Sequence, residues 1–234
     1  PTSPYDFDKI PIWILGSIYE RFLGKVVRAT DKRAKVEEKP EVRKAGGVYY
    51  TPEYIVRYIV KETVGKLIEG KTPAQIAEMA FADIACGSGS FLLEVYSTLI
   101  EYHTRWYNEN PAKAKNADVE TRNGKLVLSL KKLQGILTSN IYGVDIDFQA
   151  TEVTQLSLYL RLLEDARKLY LAALDEDPNY SPAWARLGRV YRVMAKYGKG
   201  DAKENYSLAE KAFAKALEIN PDLTLGHHLL TNLE

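Results

Sequence analysis

The stretch FADIACGSGSFLLEVY, residues 81–96, constrains the fold more than any other. A short apolar run that reads as a buried strand feeds two glycines spaced G-x-G, and helical periodicity follows at once. The peptide N–H groups of such a turn, with the positive end of the helix dipole, favour an electronegative ligand edge. Gly87 and Gly89 leave room for a ligand to touch backbone. The dinucleotide fingerprint needs a third glycine and an acidic residue about twenty positions on. Here Phe91 stands at the next position that matters, and the acidic end of a second apolar run, IYGVDID, lies more than fifty residues away. A carboxylate there suits a ribose diol, so this level of reading gives a nucleotide cofactor without saying which.

The remaining elements are placed around that turn. Ile12, Leu15, Ile18, Tyr19, Phe22 and Leu23 share one helical face. Residues 25–50 are charged, with scattered valines, and read as an exposed β-hairpin or ordered loop. A helix follows, with Thr51 as N-cap, Pro52 in the first turn and Glu53 at the positive dipole end. Residues 74–80 suggest a short helix, 81–86 a strand and 91–107 a helix. The polar run NENPAKAKNADVETRNG reads as a surface loop, KLVLSL as a short strand, KKLQGILTSN as a helix and IYGVDI as a second buried strand. This order gives half of a doubly wound sheet. Residues 148–177 contain neither Pro nor Gly and repeat apolar residues at helical spacing. That length is expected if two helices from different units are joined end to end.

A repeat follows. Ala166, Tyr170, Ala173 and Pro178 have spacings of 4, 3 and 5, as do Ala209, Phe213, Ala216 and Pro221. Between them lie Trp184, Leu187, Gly188 and Tyr191. Residues 165–234 thus resemble the tetratricopeptide repeat, whose small residues admit close helix approach and whose aromatics fill the groove. From Pro178 to Pro221 the unit is 43 residues. The usual repeat is about 34, which predicts a long inter-helix turn in AKYGKGDAKENYS and a capping helix in DLTLGHHLLTNLE. Such repeats present a groove to peptides, and one and a half of them offer little groove.

The glycine turn resembles the S-adenosylmethionine loop of adenine-specific DNA methyltransferases, on the residues ADIACGSGSFLLEVY. GGVYYTPEYIVRYIV is similar to the motif that precedes that loop in the amino-methylating group, and NIYGVDIDFQATEVTQLSLYL to its acidic second strand and helix. ILGSIYERFLGKVV resembles the helical lead-in of large restriction–modification and phage-defence methyltransferases. The departures are Ile84 and Phe148, where the family commonly has Pro. The resemblance implies that Tyr50 and Thr51 approach the methionine carboxylate of S-adenosyl-L-methionine, and that Asp83 meets its ammonium. It implies backbone from Ala85, Gly87 and Gly89 around the cofactor, with Phe91 packed below. Asp145 would accept from the ribose hydroxyls and Ile146 would lie against the adenine. For Tyr49 and Phe91 a plain core role competes, for Asp147 a cap of the next helix, and for Cys86 a small buried filler.

Methylating an adenine amino group in duplex DNA requires base flipping. The family uses Asn/Asp/Ser-Pro-Pro-Tyr/Phe/Trp for it. NPAK at 110–113 has the wrong second half, and DPNY at 177–180 falls where the repeat pattern needs its helix-ending Pro. No catalytic residue is assigned and no metal ligands, since the single Cys and His103, His227 and His228 form no ligand set. A net charge of +1 gives no basic excess for nucleic acid, so DNA is the partner of the parent family and weak or absent here. No apolar run approaches the ~20 residues of a membrane span, and the default compartment is cytoplasmic. The opening PTSPYDF lacks an initiator Met, which suggests a trimmed fragment.

The expected fold is mainly α with a small α/β core. A partial Rossmann-like methyltransferase domain (residues 1–163) is fused through a long helix to tetratricopeptide-repeat helices (residues 164–234), with the seam near RLLEDARKL. The expected function is an S-adenosylmethionine-binding fragment without turnover of its own. The alternatives are a protein-interaction scaffold and a chimera with no selected activity. The open sheet edge predicts covering by the repeat helices, or a protein partner or homodimer.

Overall fold

The computed structural model describes residues 25–29, 33–38, 51–197 and 199–224. The helical face at 12–23, Tyr49, Tyr50, the paired histidines and the final capping helix lie outside the described residues. Among the described residues helices dominate, with three small sheets of two strands each. Among the described residues no helix is long and apolar enough to cross a membrane.

The chain forms two compact units. One takes Ile136–Leu158 and the described residues up to Leu99; the other takes Ile100–Gly135 and the described residues from Tyr159 onward.

In the first unit β1 (Lys25–Ala29) and β2 (Ala34–Glu38) form an antiparallel hairpin. Helix α1 (Glu53–Val60) runs into a π-helical turn (Lys61–Gly65) and a last helical turn, α2 (Lys66–Ile68). The expected Thr51 cap is not formed. Pro52 occupies the cap position without a side-chain cap bond, its fixed φ setting the helix entry and its carbonyl accepting from Ile55 and Val56. Helix α3 (Pro73–Ala77) carries a full capping box: Gln75 N–H donates to the Thr72 hydroxyl, and Thr72 N–H to the Gln75 side chain at 2.8 Å.

Strands β3 (Phe81–Asp83) and β6 (Ile141–Gly143) then pair in parallel, Phe81 opposite Ile141 and Asp83 opposite Gly143. Buried Asn140 fixes this register. Its amide donates to the carbonyls of Ile76 (2.9 Å) and Met79 (2.6 Å), at the end of α3 and just beyond it, the Ile76 carbonyl also accepting from Met79 N–H. The residue before β6 is thereby tied to the segment before β3. Both strands are shorter than expected, because the chain turns aside into the glycine loop and the acidic loop; Val144 N–H to Asp83 O and Cys86 N–H to Val144 O continue the pairing irregularly.

Three helices are shared by the two units in sequence: α4 (Ser90–Glu109), α5 (Leu130–Asn140) and α6 (Phe148–Glu176). The second unit also holds a hairpin of β4 (Val119–Arg122) and β5 (Lys125–Leu128). The expected surface loop is thus partly a strand. Its turn is Asn123-Gly124, both at positive φ, which matches the twist of a two-residue hairpin. Glu176, at the end of α6, accepts from Asn123 N–H and pairs with Arg122.

Helices α7 (Ser181–Lys196) and α8 (Ala202–Ile219) complete this unit. Ala173, Leu174, Ala183 and Leu187 form one buried cluster, with Tyr170, Trp184 and Tyr191 packed on it; Tyr191 also packs on buried Ala209 and Phe213. A Cβ on Gly188 would stand 2.7 Å from the Phe213 ring, so only glycine fits this crossing. The long inter-helix turn is absent. Helix α7 runs to Lys196 and α8 begins at Ala202, so most of AKYGKGDAKENYS is helical. Lys199 in this turn is buried and pairs with Glu164 at 2.8 Å.

Candidate functional site

The site lies in the first unit, where the parallel strands end. After β3 the chain enters the turn Ile84–Gly89, and after β6 the turn Val144–Asp147. Ligands of open α/β sheets bind outside the carboxyl ends of strands, where the chain leaves the sheet and backbone N–H groups become available.

Two positive-φ glycines shape the first turn, Gly87 at +53° and Gly89 at +87°. Gly89 N–H closes it on Cys86 O at 2.8 Å, and Leu93 N–H reaches Gly89 O to start α4. Asp145 joins the two turns. One carboxylate oxygen accepts from Gly87 N–H at 2.8 Å and the other from Asp147 N–H at 2.8 Å. A carboxylate oxygen has room for a second donor, so the half-buried Asp145 holds the loop and keeps acceptor capacity. Asp83 accepts from Ala85 N–H at 3.1 Å, which bends the chain out of β3. Asp147 accepts from Gln149 N–H and starts α6.

The predicted residues are therefore distributed as follows. Asp145 and Gly87 are brought into direct contact, and Asp83 and Ala85 are joined at the loop entrance. Phe91 is half-buried in the first turn of α4. Ile146 is fully exposed beside Asp145, and Ile84 and Val144 are also exposed, so an apolar surface adjoins the carboxylate. Thr51 is half-buried, and among the described residues no hydrogen bond joins it to the loop. At Gly89 the space a Cβ would take is filled by Thr154, 2.8 Å away, so packing from α6 demands this glycine.

Thr154 was not singled out by sequence reasoning. It is buried, and its hydroxyl donates to Gly87 O at 2.9 Å. The available signal was a hydroxyl on the stripe of α6 that also buries Ala150, Ser157 and Leu158. Cys86 lies beneath the loop, its sulfur 3.8 Å from the same hydroxyl. Burial pushes its thiol pKa up against the Thr154 hydroxyl contact, and the nearby Asp145 and Asp83 carboxylates add to the rise, which holds the thiol toward its neutral form.

Comparison with known proteins bears on this region. Residues 63–172 match the family described as MmeI, DNA-methyltransferase domain. The chain carries a methyltransferase-like segment. It is 36% identical over 165 residues to the type II restriction enzyme and methyltransferase RM.Eco57I of Escherichia coli, covering 70% of this chain and 16% of that protein. It is 24% identical to the adenine-specific methyltransferase BrxX of Escherichia coli O9:H4 (strain HS), covering 80% of this chain and 17% of that protein. The chain therefore spans about a sixth of the length of these relatives. The methyltransferase-like segment contains both turns, Asp145 and Thr154.

Proposed function

We propose that the methyltransferase-like segment is the S-adenosyl-L-methionine-binding part of an adenine-specific DNA methyltransferase of the restriction–modification type. The observation that carries this reading is the bond from Gly87 N–H to Asp145. It sets a carboxylate with spare acceptor capacity against a glycine loop, beside an exposed Ile146. That donor set fits a ribose diol next to an apolar ring. Asp145 would receive the ribose hydroxyls, Ile146 would cover one face of the adenine, and Asp83 with Thr51 and Tyr50 would attend the methionine end. When bound, the cofactor would supply an electrophilic methyl group on sulfur. The chain's own residues bind and orient; an Asn/Asp-Pro-Pro-Tyr motif to hold the target adenine is not in these 234 residues, so the chain has no turnover alone. DNA is the substrate of the relatives' class and a weak partner for this chain.

In this reading residues 1–163 descend from the methyltransferase, residues 164–234 from tetratricopeptide helices, and the seam falls within α6. Calorimetric titration with S-adenosylmethionine and S-adenosylhomocysteine tests it, with Asp145→Ala as control. Binding lost in the variant supports the reading, and no binding up to millimolar ligand removes it.

A second reading, a protein-interaction module, is favoured by a groove of about 380 Å³ in the second unit. Leu162, Leu163, Val190 and Val193 contribute its apolar lining. Arg186 and Arg189 also line it, one turn apart on α7, and neither forms an ion pair with another described residue. Such a groove suits a peptide with an apolar side chain flanked by carboxylates. Retention of a partner by wild type and its loss in Arg186→Gln/Arg189→Gln, with Asp145→Ala without effect, would favour this reading.

A further inference from the structure

We infer that Thr154 is the positioning residue of the glycine loop, and that it sets the loop's affinity for the cofactor. The inference rests on the cofactor reading above, and its test separates the two.

Gly87 and Gly89 both sit at positive φ, and without a Cβ neither restrains its flanking peptide planes by its own side chain. Such a loop keeps one shape for a ligand only if contacts outside the glycines fix those planes. Both polar groups of Gly87 are fixed. Its N–H is taken by Asp145 at 2.8 Å and its carbonyl by the Thr154 hydroxyl at 2.9 Å. The two holds come from different elements, the end of β6 and the body of α6, so the peptide groups on either side of Gly87 are pinned from two directions.

Thr154 does a second thing with the same side chain. Its γ-methyl and hydroxyl stand 2.8 and 2.9 Å from where a Cβ of Gly89 would be, filling the space under the second glycine. Thr154 is buried and touches Cys86 as well. Ile146 is exposed while Thr154 is buried, so its effect acts through Gly87 and Gly89.

The two contributions separate by substitution. Thr154→Val keeps the shape and removes the hydroxyl. Thr154→Ser keeps the hydroxyl and removes the methyl. The full chain and both variants are titrated with S-adenosylmethionine, and amide hydrogen exchange of Gly87 and Gly89 is followed by NMR without ligand. The expected result is affinity about tenfold weaker in Thr154→Val, the size of one lost hydrogen bond. Exchange at Gly87 and Gly89 should be faster in that variant, and Thr154→Ser should lie closer to wild type in both. Equal affinity and equal exchange in wild type and Thr154→Val would overturn the inference and leave the cofactor reading standing. If wild type binds no cofactor, that reading fails and the affinity part of the inference with it, while loop exchange still tests the positioning part: faster exchange in Thr154→Val supports it and unchanged exchange overturns it.

Discussion

The N–H of Gly87 meets the carboxylate of Asp145 at 2.8 Å, across 58 residues of chain. This one contact joins the two turns that follow β3 and β6. It also means that Asp145 has a structural task before any ligand arrives.

Asp145→Ala should therefore lose stability as well as ligand. Two N–H donors, of Gly87 and Asp147, lose a charged acceptor. Hydrogen bonds to charged groups contribute about 1.5–3 kcal/mol each, less where water can substitute, so a loss of about 2 kcal/mol in urea unfolding is expected. Asp145→Asn retains one acceptor oxygen and should fall between the variant and wild type.

Gly188→Ala should destabilise by about 1–3 kcal/mol, the usual cost of overpacking, because its Cβ would press into the Phe213 ring. Combining it with Phe213→Leu should recover part of the loss relative to the sum of the singles. Additivity in the double-mutant cycle would show that the two residues do not share that space.

Asn140→Leu removes the donor that serves Ile76 and Met79. The Met79 carbonyl then loses its side-chain donor while the Ile76 carbonyl keeps Met79 N–H, for about 1–3 kcal/mol. Thermal unfolding followed by circular dichroism should show a lower Tm. An unchanged Tm would mean that water replaces the amide there.

Asp165 gives a pH-dependent expectation. Burial raises its pKa above the usual carboxylate range, against Arg161, which lies 3.2 Å away and pulls it down. A raised folded pKa means that the folded chain holds this proton more tightly than the unfolded chain. The resulting stability is complete below the unfolded pKa of about 3.9 and is lost as pH rises through the folded value. Ionised Asp165 is therefore a burden at neutral pH. Asp165→Asn should raise stability at pH 7 despite losing an i,i+4 pair worth about 0.3–0.5 kcal/mol, and the advantage should vanish in strong acid. A constant difference across the pH range would sink this account.

Cys86 should react slowly with thiol reagents at pH 7 in the folded chain and rapidly in urea. Its side chain is buried and its thiol is pushed toward the neutral form. Fast labelling of the native chain would show the loop open in solution.

The parts legible in the sequence were those set by local pattern. The strand, G-x-G and helix at 81–96 needed only apolar periodicity and two glycines. The helix expected at 148–177 is found at Phe148–Glu176, because nothing in that run interrupts a helix. The β4–β5 hairpin was missed although Asn123-Gly124 is a turn signal, since the polar residues around it carry little strand pattern. Thr51 failed as a cap because Pro52 already presets the helix entry. The long turn expected in AKYGKGDAKENYS was misplaced, since residue spacing alone cannot say whether residues lengthen a helix or a loop. Thr154 was invisible because its role depends on a contact 67 residues away in the chain.

The tie from Asn140 back to Ile76 and Met79 has a kinetic consequence. The hairpin of α7 and α8 closes over a short stretch of chain and can form early, whereas β3 and β6 are separated in sequence by the whole α4–α5 segment. Closing a loop of that length costs entropy before any pairing repays it. The glycine turn should therefore be the last part of the first unit to become ordered, and stopped-flow folding should show it as the slowest native feature to appear.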